Sequence, residues 1–160
     1  MTVASVTIEI SDETGSSTDE SLERTVSAAA TYALQALRIH PDSELSVVLV
    51  DDDEMERLHG EWMSLPGPTD VLSFPMDEMR PTPDGEEAVA GMLGDLVLAP
   101  AFVARQAADN GTTTEAETEM LTVHGVLHLL GYDHAEPDEE RVMFALQQQI
   151  LDGLRSGSDT

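Results

Sequence analysis

Val6, Ile8 and Ile10 alternate with Thr7 and Glu9, the period-two pattern of a half-buried strand. The polar run from Ser11 to Thr18 predicts a loop after it. From about Asp19 to Arg38 the rhythm changes: Leu22, Val26, Ala29, Leu34 and Leu37 recur at helical spacing, and Pro41 stands just past the end. Leu45 to Val50 is a β-branched apolar run, which predicts a strand buried on both faces. Asp51, Asp52 and Asp53 then offer caps for a short helix carrying Met55, Leu58 and Trp62.

Two more strands are predicted at Asp70 to Phe74 and at Met92 to Leu98, separated by a mobile loop holding Pro81, Pro83 and Gly85. Pro100 opens a helix that stops at Asn110-Gly111. Thr112, Thr113 and Thr114 supply a cap for the next helix, with Glu115, Glu117 and Glu119 near its positive end. A last helix is predicted from Pro137 to Leu154, followed by a frayed tail at residues 155–160. No repeat or interdomain linker interrupts the pattern. One domain over 1–160 is expected, with its ordered core at 6–154. The mixture of strands and helices predicts an α+β fold, a small mixed sheet with helices packed on it. At this length such a domain buries on the order of 70% of its unfolded surface.

Composition refines this picture in three places. The chain is 41% hydrophobic and 24% charged, an ordinary globular balance, yet 32 acidic residues face 7 basic ones for a net charge of −25. All the basic residues are Arg. A surface of that sign repels phosphate at long range and argues against broad electrostatic binding of nucleic acid; adaptation for solubility or high salt explains it better than a basic partner. The absence of cysteine excludes a disulfide scaffold, a cysteine nucleophile and thiolate ligands, so any metal must sit on His, Asp or Glu. The first residues lack a basic, apolar leader pattern, and no window approaches the roughly 20 apolar residues of a membrane span. No membrane association and a cytoplasmic location are therefore expected.

The chemistry concentrates between His124 and His134. Met120 through Tyr132 contains no charged residue, the mark of a central buried helix. His124 and His128 lie four apart, which places both imidazoles within roughly 40° on one helix face, where they can share an ion. A buried imidazole left unpaired costs on the order of 1–3 kcal/mol, so a metal or hydrogen bonds must satisfy it. Gly131 permits a left-handed helix end, after which His134 can swing back toward the other two. Three imidazoles with an open fourth position form a catalytic zinc arrangement. One such histidine would be read as a satisfied core residue, but three of the chain's five within eleven positions point to metal. His40 and His59 carry no comparable signal and are read as loop or surface residues.

The spacing also matches the H-E-x-x-H-x-x-G-x-x-H pattern of metzincin peptidases, except that Gly125 stands where the general-base Glu belongs. Hydrolysis would then rely on a zinc-bound hydroxide or on a carboxylate from elsewhere, such as Asp133, which reads equally as a turn residue.

The run from His124 to His134, together with Pro68-Thr69-Asp70-Val71-Leu72-Ser73-Phe74-Pro75 and Gly94-Asp95-Leu96-Val97, resembles the YbeY family of rRNA maturation factors. The resemblance covers roughly residues 6 to 154 and is specific in those three motifs. It implies a single zincin-like domain that binds one zinc ion through His124, His128 and His134. The implied activity is endoribonucleolytic cleavage of single-stranded RNA, in maturation of small-subunit ribosomal RNA ends and in ribosome quality control. Small-subunit ribosomal proteins and a ribosome-associated GTPase are the implied partners. Many members carry an Arg shortly before the Pro-Thr-Asp motif, where this chain has Met63; Arg57, Arg80 and Arg105 are candidate replacements among which the sequence does not choose. Asp70 and Ser73 are read either as lining the cleft or as strand-end residues, and Asp95 has the same two readings.

Three functions follow. A zinc-dependent endoribonuclease leads, and it requires a cleft that is neutral or positive once the ion is counted. A non-enzymatic ribosome-assembly factor with a structural metal is the alternative, suited by an acidic surface that docks on basic proteins. A metallopeptidase is weakened by Gly125.

Overall fold

The computed structural model describes residues 6–14, 20–63, 69–83, 85–133 and 136–157. Among them four strands and five helices run in the order β1 (Thr7–Asp12), α1 (Glu20–Ala36), β2 (Glu44–Leu49), α2 (Asp52–Met63), β3 (Val71–Pro75), β4 (Met92–Leu98), α3 (Pro100–Asp109), α4 (Thr114–Leu129) and α5 (Pro137–Gly157). The α+β expectation of a small mixed sheet with helices packed on it holds. Strand order is β1-β2-β4-β3, with β1, β2 and β4 parallel and β3 antiparallel to β4.

Burial explains the layering. On one face Leu45, Val47, Leu49, Leu96 and Leu98 join α1, α4 and α5 in the main core. On the other, Leu72 and Val97 pack with Met55 of α2, flanked by Val48, Phe74 and Phe102. A strand covered on both faces was expected at β2; in fact Leu45, Val47 and Leu49 are buried while Ser46 and Val48 are half-buried, because the second layer is small. Two boundaries also shift. β1 continues through Ser11 and Asp12, which pair with Val48 and Leu49 instead of opening the loop. α5 continues three residues past Leu154, where Arg155 Nε donates to Glu119 Oε1 at 3.4 Å.

The loop between β3 and β4 is tied at its base. Met76 and Asp77 donate backbone N–H groups to Leu93 and Met92, and Asp77 Oδ2 accepts from the Met92 N–H at 2.7 Å. A bulge sits there: Glu44 pairs with Met92 and Leu45 with Gly94, so Leu93 is the extra residue. That insertion resets the alternation and puts Leu93 in the main core beside Leu96 and Leu98. Gly94 has φ +131, and a Cβ on it would overlap the Phe74 carbonyl oxygen, so only glycine fits.

Candidate active site

α4 is the buried helix the sequence predicts. The Thr113 hydroxyl caps its start by accepting from the Ala116 N–H at 3.0 Å. Thr118 and Thr122 turn their hydroxyls back to the carbonyls of Thr114 and Thr118, so polar side chains survive burial without partners from outside. At the far end Gly131 N–H donates to His128 O at 3.1 Å and Tyr132 N–H to Leu127 O at 3.0 Å, with Gly131 at φ +95. This is the paired-bond, left-handed stop anticipated at Gly131. A Cβ there would also stand 2.7 Å from Cζ of Arg80, whose guanidinium lies across the turn.

The helix delivers His124 and His128 to one place. Their ring centroids are 4.7 Å apart with planes at 81°, and both line a cavity of about 720 Å³. His124 Nδ1 meets Gln147 Oε1 of α5 at 2.8 Å. The tautomer in which Nδ1 donates to that oxygen leaves Nε2 its lone pair, as a metal ligand needs. His134, the third expected ligand, lies outside the described residues. Among the described residues no group of three His, Asp or Glu side chains could hold a metal. Two imidazoles on one helix face fit an ion as donors.

The other candidates separate clearly. Ser73 lines the cavity and donates from Oγ to Gly125 O at 3.3 Å. Asp70 also lines it, held by the Val71 N–H on Oδ1 at 2.7 Å and by Gln106 Nε2 on Oδ2 at 3.0 Å. The same Gln106 amide donates to Glu117 Oε1 at 3.3 Å, which satisfies a carboxylate only 5% exposed. Asp133 is exposed beyond the turn and does not line the cavity. Neither does Asp95, which sits mid-sheet between Ser46 and Phe74.

Gly125 faces the sheet. A Cβ on it would stand 2.7 Å from Leu96 Cδ2, with Leu96 fully buried. The position where a peptidase carries its base is therefore closed by packing.

None of the three candidate arginines lines the histidine cavity. Arg57 is held between Glu54 and Glu61, and the hydrogen bond and charge of Glu54 push its guanidinium further above its usual value. Arg105 pairs with Asp52 and covers the Phe102 ring. Arg80 lines a second cavity of about 420 Å³ with His40. Met63 closes α2. His59 is a half-buried residue of α2, and His40 accepts from the Asp42 N–H at 3.0 Å in a turn.

Gln147 and Phe144 on α5 are among the cavity residues that the sequence pattern does not reveal. A signal existed: they lie three apart, hence on one helix face, but nothing in the pattern says that this face meets α4.

Fold and cleft define a small α+β protein that sets paired imidazoles from a buried helix into an apolar-walled cavity. Known proteins give this class its family. The family model for endoribonuclease YbeY matches residues 7–155. Proteins named endoribonuclease YbeY are similar throughout: that of Cutibacterium acnes is 56% identical, covering 90% of this chain and 91% of its own, and that of Streptomyces coelicolor is 54% identical, covering 94% and 92%. The solution structure of TM1509 from Thermotoga maritima aligns with a TM-score of 0.62 at 25% identity, over 95% of this chain and 91% of that one. The chain belongs to the endoribonuclease YbeY family. No described helix is long and apolar enough to cross a membrane.

Proposed function

We propose that the chain is an endoribonuclease of ribosomal RNA maturation that hydrolyses single-stranded RNA, acting as one zincin-like domain with one zinc ion on His124, His128 and His134. The observation that carries this reading is the His124–His128 pair, 4.7 Å between centroids, with Gln147 fixing one ring. When bound, a divalent ion supplies Lewis acidity: it brings the pKa of water toward about 7 and draws charge from a phosphoryl oxygen.

The chain's own residues do the rest. Gln147 holds the His124 ring through Nδ1. Ser73 is anchored on the α4 backbone and presents a hydroxyl to substrate. Asp70, gripped by Val71 and Gln106, is the one carboxylate among the described lining residues. A single divalent ion would therefore leave that lining at 2 − 1 = +1, which answers how a chain at −25 admits a polyanion. Asp133 is proposed as a catalytic carboxylate only by its place next to His134. Gly125, closed by Leu96, supports a nuclease over a peptidase. The acidic exterior suits docking on basic small-subunit ribosomal proteins, and a ribosome-associated GTPase and a cytoplasmic setting complete the proposal.

Metal analysis of the purified protein alongside cleavage of single-stranded RNA tests this, comparing wild type with His128→Ala. The expected result is one ion per chain and cleavage in the wild type, with both lost in the variant. Metal bound without cleavage leaves the assembly-factor reading instead. Cleavage unchanged in the variant places the activity outside this site.

A further inference from the structure

The cavity that holds His124 and His128 also contains a ring that neither coordination nor proton transfer employs. Phe144 of α5 lines it and is 43% exposed, whereas its neighbour Met143 is fully buried in the main core. Its centroid is 6.1 Å from that of His124, with the two planes 34° apart. Gln147, three residues later on the same helix face, is bound to His124, so the register of α5 fixes Phe144 beside the imidazole. Val71, Leu72, Pro75 and Met120 add apolar lining to the same cavity.

We infer that Phe144 is the stacking platform for a nucleobase next to the phosphate that is cut. This deepens the endoribonuclease reading and rests on it. A base in a duplex has both faces covered by its neighbours, while a base in a single strand can be splayed out onto an aromatic ring. Such a platform tolerates every base because each has a π-face, so it selects for strandedness more than for sequence. Charge supports the same assignment. With 32 acidic residues against 7 basic ones, this chain cannot capture RNA by broad phosphate pairing, and a non-ionic contact has to supply affinity. The binding should accordingly lose less with salt than that of a basic RNA-binding surface.

The test compares wild type with Phe144→Leu, which keeps apolar bulk, and Phe144→Tyr, which keeps the ring. The probes are a cleavable single-stranded RNA and a set of the same RNA with one abasic nucleotide walked along it. Phe144→Leu should raise KM about 5- to 100-fold with kcat little changed, and Phe144→Tyr should restore wild-type KM. One abasic position should weaken wild-type binding by a similar factor and add nothing in Phe144→Leu. Zinc affinity should be the same in all three proteins. Equal abasic penalties in wild type and Phe144→Leu, or a KM unmoved by Phe144→Leu, overturn the platform while leaving the nuclease reading standing. A wild-type protein that neither binds nor cleaves the RNA overturns the nuclease reading and the platform with it.

Discussion

Two of the cavities formed by the described residues contain histidine, and they are built on opposite terms. The larger is walled by a buried helix, and its imidazoles are set by a four-residue spacing, a capped start, a glycine stop and one amide from α5. The smaller gathers His40 and Arg80 among Asp77, Glu78, Glu86 and Glu87 in the β3–β4 loop, with His40 in a turn. Among the described residues one carboxylate lines the first and four line the second. A polyanion can enter a cavity of the first kind once a cation is present; four carboxylates against one guanidinium repel it. The presence of an arginine alone would have pointed to the second cavity, whereas rigidity of the donors and the sign of their surroundings point to the first.

The largest effect that could break this comparison comes from the imidazoles. His124→Ala should lower RNA cleavage at least about 100-fold, while His40→Ala should leave it unchanged, measured as kcat/KM on one single-stranded substrate. Loss from both variants would erase the distinction. Next comes Gln147→Leu, which removes the acceptor on His124 Nδ1 and should weaken zinc binding about 10- to 100-fold in a competition titration. The melting temperature of the metal-free protein should stay near wild type.

Packing sharpens the contrast further. Gly125→Ala pushes a methyl against the buried Leu96 side chain and should cost about 1–3 kcal/mol in denaturant unfolding. Gly91→Ala in the second cavity meets only the ends of Asp77 and Met79, at 3.0 and 3.1 Å, and should cost less than about 1 kcal/mol because a loop can yield. Thr113→Ala should cost about 1 kcal/mol from loss of the α4 cap, by the same unfolding measurement.

Much of this was legible in the chain because the relevant signals are local. The uncharged run from Met120 to Tyr132 declared a buried helix, and Gly131 and Gly111 marked its end and that of α3; both have positive φ. The spacing of His124 and His128 by itself dictates a shared helix face. What stayed hidden depends on contacts between distant segments. Gly125 looked like a missing catalytic base, but its meaning is the approach of α4 to Leu96 on β4, 29 positions earlier in sequence. Glu117 looked like a residue favourable to the helix dipole; it is in fact buried and bridged by Gln106 to Asp70. Gln147 and Phe144 gain their roles only because α5 lies against α4. The strand at β1 ran longer than its polar end suggested, since Ser11 and Asp12 are held by backbone pairing with β2, which side-chain periodicity does not report.

The central claim is that one ion sits between these imidazoles, and calorimetric titration of zinc into metal-stripped protein tests it most directly. Wild type should take up one equivalent, and His124→Ala, His128→Ala and His134→Ala should each bind at least about 100-fold more weakly. A wild-type protein that takes up no ion, or a single-histidine variant that binds as tightly as wild type, would contradict it.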